Sequence, residues 1–476
     1  MIQSRPALAA LFATFALPLA GCGTAYAQDD VTSAPAPVQQ AAETQESGKA
    51  KNVILFIGDG MGVSTVTAAR IYAGQKLGQT GEEYILPFER FENVALVKTY
   101  NTNAQVPDSA GTATAMHSGK KTKIGFLGIG PEAPRADCVA GQQYHLPLIG
   151  EQAKERGLAV GVVSTARITH ATPASVYARA TERNWEADAS MPEDQRGLGC
   201  DDIATQLVNF DFDVALGGGT ASFFGADNGG RRLDAAADLP GAWVARTGGT
   251  YVTDANELSL APAGKPVLGL FSPSHMTYMA EKAADNGEPT LTAMTREAIQ
   301  RLAKDPDGYY LMVESGRIDH GHHWGKAGVA LEEAVEFARA IQWAIENTDP
   351  EETLILVTAD HSHVFTIAGY PKRGNPILGL VVPPEGEGDG GPILAEDGKP
   401  YTTLGYANGP GAVSGERPVP ETGVMATQQA LVPTGSETHA GEDVPLYAQG
   451  PGAERARGVI EQNVVYDIMV EALGWK

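Results

Sequence analysis

Basic residues are scarce in this chain. Its 476 residues include 35 Lys and Arg against 58 Asp and Glu, for a formal net charge of −23. A nucleic-acid partner needs a basic track along its phosphate backbone, so nucleic acid is excluded as a specific partner, and an anionic substrate would need a locally positive site. Long apolar runs are equally rare: after the N-terminal stretch Ala7 to Leu19 there is no second span of membrane-crossing length, and no repeat at solenoid periods. Cysteine occurs three times, at Cys22, Cys138 and Cys200. Aromatic residues are missing from Asp29 to Lys49, which is rich in Ala, Gln, Glu, Pro, Ser and Thr and cannot bury enough apolar surface to order itself.

The N-terminus reads as an address. Ala7 to Leu19 has signal-peptide length, follows Arg5, and ends in Leu19-Ala20-Gly21-Cys22, which resembles the lipobox of bacterial lipoproteins. On that reading residues 1–21 are a signal, Cys22 carries lipid, 22–50 form a tether, and 51–476 are the folded domain. An ordinary secretory signal cleaved around Ala25 to Ala27 is the alternative. With Cys22 lipidated, an even pair remains in an oxidising compartment, so Cys138 and Cys200 are expected to pair, the alternative being two free buried thiols.

Within the domain, chemistry recurs at the ends of apolar runs. Asn52-Val53-Ile54-Leu55-Phe56-Ile57 reads as a buried parallel strand closed by Gly58-Asp59-Gly60-Met61-Gly62. Gly308 to Val313 reads the same way and delivers Glu314, Asp319, His320, His322 and His323 within ten residues, with Asp319 and His323 spaced to share one helical face as metal ligands. Thr353 to Thr358 leads to Asp360-His361-Ser362-His363, and Leu158 to Val163 leads to His170-Ala171-Thr172-Pro173. Ligands at the carboxyl ends of several strands predict an open α/β fold, a large and mostly parallel central sheet with helices on both faces. Further strands are expected at 213–216 and 266–270, and helices at 174–180, 291–302, 327–345 and 459–473. Residues 369–433, rich in Gly, Pro and Glu, read as an inserted surface subdomain. Ser109 precedes the small-residue run Ala110 to Ala115, which places it at or near a helix N-terminus, where it is an anion-facing nucleophile or simply an N-cap. Arg183 offers a guanidinium fork that suits phosphate, and His439 stands alone late in the chain.

In this order, Asp59-Gly60-Met61-Gly62, Asp108-Ser109-Ala110-Gly111-Thr112-Ala113-Thr114-Ala115, His170-Ala171-Thr172-Pro173, the Glu314 to His323 block, Thr358-Ala359-Asp360-His361 and Thr438-His439-Ala440-Gly441 resemble the alkaline phosphatase family over about residues 51–470. Gly199-Cys200-Asp201-Asp202-Ile203-Ala204 and Val364-Phe365-Thr366 are similar to its animal-type and related bacterial branch, whose disulfide supports the Cys138–Cys200 pairing. The resemblance implies hydrolysis of phosphate monoesters through phosphoserine at Ser109, with Arg183 as the phosphate clamp beside Asp108. It implies two Zn2+ and one Mg2+ per chain: one zinc on Asp319, His323 and His439, the other on Asp59, Asp360 and His361, and magnesium on Asp59, Thr172 and Glu314, with His170 and His320 behind them. Three divalent ions less four carboxylates leave about +2, and Arg183 adds one more, so a phosphate dianion is attracted despite the acidic surface. A homodimer, lipid-anchored in a bacterial cell envelope on the periplasmic or outer-membrane side, is expected. Ser272 stands where animal members carry an acidic calcium ligand, which argues against calcium there. The competing readings are a phosphodiesterase or sulfatase of the same superfamily, and a non-catalytic metal-binding surface lipoprotein.

Overall fold

The computed structural model describes residues 48–476. The signal, Cys22 and the tether up to residue 47 lie outside the described residues.

Strands follow one another as β1 (Asn52–Gly58), β2 (Asn93–Lys98), β3 (Ala159–Arg167), β4 (Val214–Gly218), β5 (Thr250–Val252), β6 (Val267–Leu270), β7 (Tyr309–Ser315), β8 (Thr353–Ala359), β9 (Ser362–His363), β10 (Phe365–Ile367), β11 (Leu404–Gly409), β12 (Gln429–Pro433), β13 (His439–Ala440), β14 (Val444–Gln449) and β15 (Gly458–Glu461). Ten of them form one sheet in the order β15-β2-β14-β8-β1-β7-β3-β4-β6-β5. From β8 to β5 all neighbours run parallel, while β14 lies antiparallel to both β8 and β2. The parallel core strands read as unbroken apolar runs because both faces are covered: every residue of β7 and β8 is buried.

Six helices matter for the site: α1 (Val63–Lys76), α2 (Ser109–Ser118), α3 (Leu291–Leu302), α4 (Arg317–His323), α5 (Ala327–Asn347) and α6 (Val464–Ala472). On α5, Ala330, Leu331, Ala334, Phe337 and Ile341 recur at helical spacing and are buried; Phe337 meets Phe56 of β1 edge to face, with ring centroids 5.9 Å apart.

The helix expected over 174–180 does not form beyond Ala174, and the one expected over 459–473 is shorter. Only Ala171–Ala174 is helical in the segment leading to Arg183, because Ala180 instead exchanges two backbone hydrogen bonds of 2.9 Å with Leu127. The closing helix begins at Val464 rather than Val459; residues 458–461 pair with β2 as an edge strand. Pairing partners far away in sequence override local propensity in both cases. The segment 369–433 contributes β11 and β12 to a small sheet with β10. It is tied back to the site helix by Tyr406, whose hydroxyl lies 2.8 Å from Nδ1 of the buried His322. Cys138 and Cys200 form a disulfide with Cα atoms 5.9 Å apart, closing a loop of 62 residues.

Candidate metal centre and active site

Parallel pairing in register sets the site. Gly58 at the end of β1 is level with Ser315 of β7 and with Ala359 of β8, so the next residues of all three strands emerge side by side. Asp59 and Asp360 follow these ends directly, and Glu314 sits one residue before the end of β7, level with Ser164 of β3. Gly60, at φ +69°, turns the chain sharply after Asp59 and donates its N–H to Asp360 Oδ1 at 3.0 Å.

The candidate ligands gather into three groups. In the first, Asp319 Oδ1 lies 3.2 Å from His323 Nε2 and 3.3 Å from His439 Nε2, and the two imidazole nitrogens are 3.1 Å apart. Asp319 and His323 share a face of α4, one turn apart, while His439 arrives on β13. In the second, His361 Nε2 lies 3.4 Å from Asp59 Oδ1, 3.3 Å from Asp360 Oδ2 and 3.2 Å from Ser109 Oγ. In the third, Asp59, Glu314 and His170 bring ligand atoms within 4.8 Å of one another, and Thr172 is buried with its hydroxyl unpaired. The imidazoles are oriented from behind: Nδ1 of His323 donates to the Glu437 carbonyl at 2.6 Å and Nδ1 of His439 to the Pro107 carbonyl at 2.8 Å, which leaves each Nε2 bare.

Whether cations fit is decided by what the protein leaves unpaired. Among the described residues, both carboxylate oxygens of Asp59, Oε1 of Glu314, Oδ2 of Asp360 and Oγ1 of Thr172 are buried without a hydrogen-bond partner. Buried polar atoms normally find partners, because each orphan costs on the order of 1–3 kcal/mol. Orphaned carboxylates facing one another cost more. Burial first, and then the neighbouring carboxylates, pushes Asp59 well above the usual carboxylate range; burial and Asp360 raise Glu314 to about 7, and Asp360 is raised too. Asp319 goes the other way: although burial pushes it up, His323 and the other imidazoles around it hold it well below its ordinary value. Oxygen-rich and imidazole-rich groups of this kind fit hard and borderline divalent cations respectively.

Ser109 is the first residue of α2, and the N-cap is Asp108, whose Oδ1 accepts from the Gly111 N–H at 3.1 Å. The other Asp108 oxygen accepts from Arg183 Nη1 and from the Gly125 N–H, both at 3.0 Å. A single carboxylate thus fixes the helix start carrying the serine and aims the guanidinium. Arg183 Nη2 also reaches His170 Nε2 at 3.1 Å.

Several residues not expected from sequence belong to the site. His363 is fully buried between two carboxylates, with Nε2 2.8 Å from Asp319 Oδ1 and Nδ1 2.5 Å from Glu437 Oε2. Burial works against its charge, yet these two carboxylates raise it to about 10. With both nitrogens occupied, it orients Asp319. Its position two residues after His361 was a usable signal. Ser164 donates a short hydrogen bond to Glu314 Oε2, leaving Oε1 directed at the third group. His320 does not join a ligand group; its ring packs against His170 and His275, with centroids 5.6 and 4.1 Å away.

A doubly covered α/β sheet that presents carboxylates, imidazoles and a serine beside an arginine defines a metal-dependent enzyme of the open-sheet class. A family model described as alkaline phosphatase matches residues 50–475. Tissue-nonspecific alkaline phosphatase of Gallus gallus is 45% identical over 449 residues, covering 89% of this chain and 84% of that one. The Homo sapiens protein of the same name is 44% identical, with 89% and 83% covered. Among solved structures, the alkaline phosphatase of the Antarctic bacterium TAB5 superposes with a TM-score of 0.65 at 26% identity, covering 90% of this chain and 99% of that one. The chain belongs to the alkaline phosphatase family, whose members are metal-dependent hydrolases.

Proposed function

We propose that the protein hydrolyses phosphate monoesters by way of phosphoserine at Ser109, using two Zn2+ and one Mg2+. The observation that carries this reading is the set of unpaired oxygens on Asp59, Asp360, Glu314 and Thr172, buried beside a serine hydroxyl at a helix start. Asp319, His323 and His439 would hold one zinc, Asp59, Asp360 and His361 the other, and Asp59, Thr172 and Glu314 the magnesium. When bound, such ions lower the pKa of the attacking hydroxyl and of water and neutralise charge on the transferring phosphoryl group.

The protein's own groups do the rest. Arg183 would grip two phosphate oxygens, held in place by the hydrogen bond that its Nη1 donates to Asp108 Oδ2 at 3.0 Å. Ser109 Oγ forms the new P–O bond while the bond to the leaving oxygen breaks, and water then releases orthophosphate and restores the hydroxyl. Turnover of a nitrophenyl monoester and of the corresponding diester tests the reading, because Arg183 and the Glu314 and Thr172 group favour a terminal dianion. Faster turnover of the diester would overturn it.

The protein is also proposed to be a homodimer tethered to a bacterial membrane by lipid on Cys22. No helix among the described residues is long and apolar enough to cross a membrane, so attachment on this proposal rests on the lipid alone. Replacing Cys22 with Ser is expected to move the protein from the membrane pellet to the supernatant, and continued sedimentation would point to another anchor.

A further inference from the structure

The first ligand group joins two elements that lie outside the ten-stranded sheet: α4, which carries Asp319 and His323, and β13, which forms a two-stranded sheet with β9 and carries His439. They meet directly at Glu437, whose N–H donates to the His323 carbonyl at 3.1 Å and whose carbonyl accepts from His323 Nδ1. A second link runs through β11, in the inserted segment 369–433. Tyr406 and Asn408 are two residues apart on β11, so their side chains leave the same face of the strand. The Tyr406 hydroxyl lies 2.8 Å from Nδ1 of His322, the residue before His323. Asn408 holds Thr438, the residue before His439, at two points: its Oδ1 accepts from the Thr438 N–H at 3.0 Å, and its Nδ2 donates to Thr438 Oγ1 at 2.9 Å. Each of the two side chains thus grips the neighbour of one imidazole ligand.

His322 is fully buried, and its other ring nitrogen, Nε2, is 3.0 Å from Thr65 Oγ1 on α1. A hydroxyl can donate or accept, so these two hydroxyls satisfy both nitrogens in either tautomer. Pinned from two sides, the ring fixes the rotation of α4 about its axis, and that rotation sets where Asp319 and His323 point. Removing the Tyr406 hydroxyl would leave a buried ring nitrogen unpaired, and α4 would be free to turn to relieve it. Asn408 is only half-buried, so water can replace part of what it gives Thr438. The strand that carries both is itself held close to the site. The Ala407 N–H donates to the Val364 carbonyl at 2.9 Å, and further along the segment the Gln428 N–H donates to the Gly325 carbonyl, two residues past His323, at 2.8 Å.

We infer that Tyr406 and Asn408 are positioning residues for the metal group of Asp319, His323 and His439, and that the inserted segment serves the reaction by fixing α4 against β13 through β11. The inference rests on the reading of those three residues as one zinc group. Both side chains act through the neighbour of a ligand. The other zinc group, Asp59, Asp360 and His361, hangs from the ends of β1 and β8 in the parallel core, and it supplies an internal reference.

The test loads the full chain with zinc and magnesium and measures release of each zinc equivalent to a chromophoric chelator, in the parent protein and in Tyr406→Phe, Asn408→Ala and Asn408→Asp. In Tyr406→Phe one of the two equivalents is expected to be held about tenfold more weakly, as for loss of a partner behind a ligand, with the other unchanged. Asn408→Ala is expected to act in the same direction to a smaller degree, and Asn408→Asp, which still accepts from the Thr438 N–H, to keep the parent affinity. With cobalt in place of zinc, the visible absorption of one site is expected to shift in Tyr406→Phe. Arg417→Gln removes an ion pair with Asp397 of 2.7 Å elsewhere in the same segment and is expected to leave both equivalents as in the parent. Parent-like retention in Tyr406→Phe and Asn408→Ala, equal weakening of both equivalents, or the same loss in Arg417→Gln would show that β11 only supports the fold and would overturn the inference. His439→Gln separates the two levels. If it keeps both equivalents, the zinc reading of the group fails and the inference falls with it; if it loses one while Tyr406→Phe loses none, only the inference fails.

Discussion

At the active-site serine the chemistry turns on one hydroxyl whose surroundings are built by other residues. Ser109 Oγ has His361 Nε2 at 3.2 Å, while the helix start is capped by Asp108. Removing the hydroxyl therefore deletes the nucleophile and leaves the cap and the eight candidate ligands in place. Ser109→Ala is expected to lower kcat by about three orders of magnitude or more, with zinc content by elemental analysis unchanged and no phosphoserine detected by mass spectrometry after a quench. Wild-type-like turnover would remove Ser109 from its role. His363 shows the opposite kind of dependence, since it touches no proposed substrate atom and acts through Asp319. The sequence motif Asp360-His361-Ser362-His363 displayed it openly. What hid its role was that both of its partners, Asp319 and Glu437, come from 44 and 74 residues away.

Among the elements, the turn after β1 governs how closely the ligand-bearing strands can approach. Gly60 has φ +69°, and a Cβ there would stand 2.3 Å from His363 Nε2. Gly60→Ala thus strains the backbone and also pushes on the imidazole that orients Asp319. The expected outcome is weaker zinc retention on dialysis against a chelator together with a lower Tm; retention equal to the parent protein would show that the turn adapts without disturbing the centre. Strands such as β1, β7 and β8 were legible because burial on both faces leaves continuous apolar runs, and α4 because Asp319 and His323 keep a one-turn spacing. The helical stretch expected over Ala174 to Ala180 and the start of the last helix were not legible. There the backbone is claimed by Leu127 and by β2, partners that local propensity cannot reveal. His275 was invisible for a related reason, since its environment is assembled only on folding: Arg167 meets it across 108 residues.

Across the whole molecule, buried carboxylates set protons against cations. Burial raises Asp59, Asp360 and Glu314, the last from 4.5 to about 7, so the folded metal-free chain binds these protons more tightly than the unfolded chain does. A raised carboxyl pKa means that the metal-free fold loses stability as pH climbs from the unfolded value through the folded one, here from 4.5 to about 7 for Glu314. Asp319 lies outside this window, since its imidazole neighbours hold it well below its ordinary value despite burial. His363, at about 10, keeps its proton throughout. Cations relieve the repulsion by taking the place of the protons, and they bind more tightly as carboxylates ionise and ligand imidazoles become neutral, which acts in the same direction. The gap in Tm between metal-loaded and chelator-stripped protein is therefore expected to be wider at about pH 8 than at about pH 5, by linkage of proton and metal binding. Scanning calorimetry of both forms at the two pH values measures it. An equal gap at both would mean that the ions bind without displacing these protons, and the assignment of Asp59, Asp360 and Glu314 as ligands would fail.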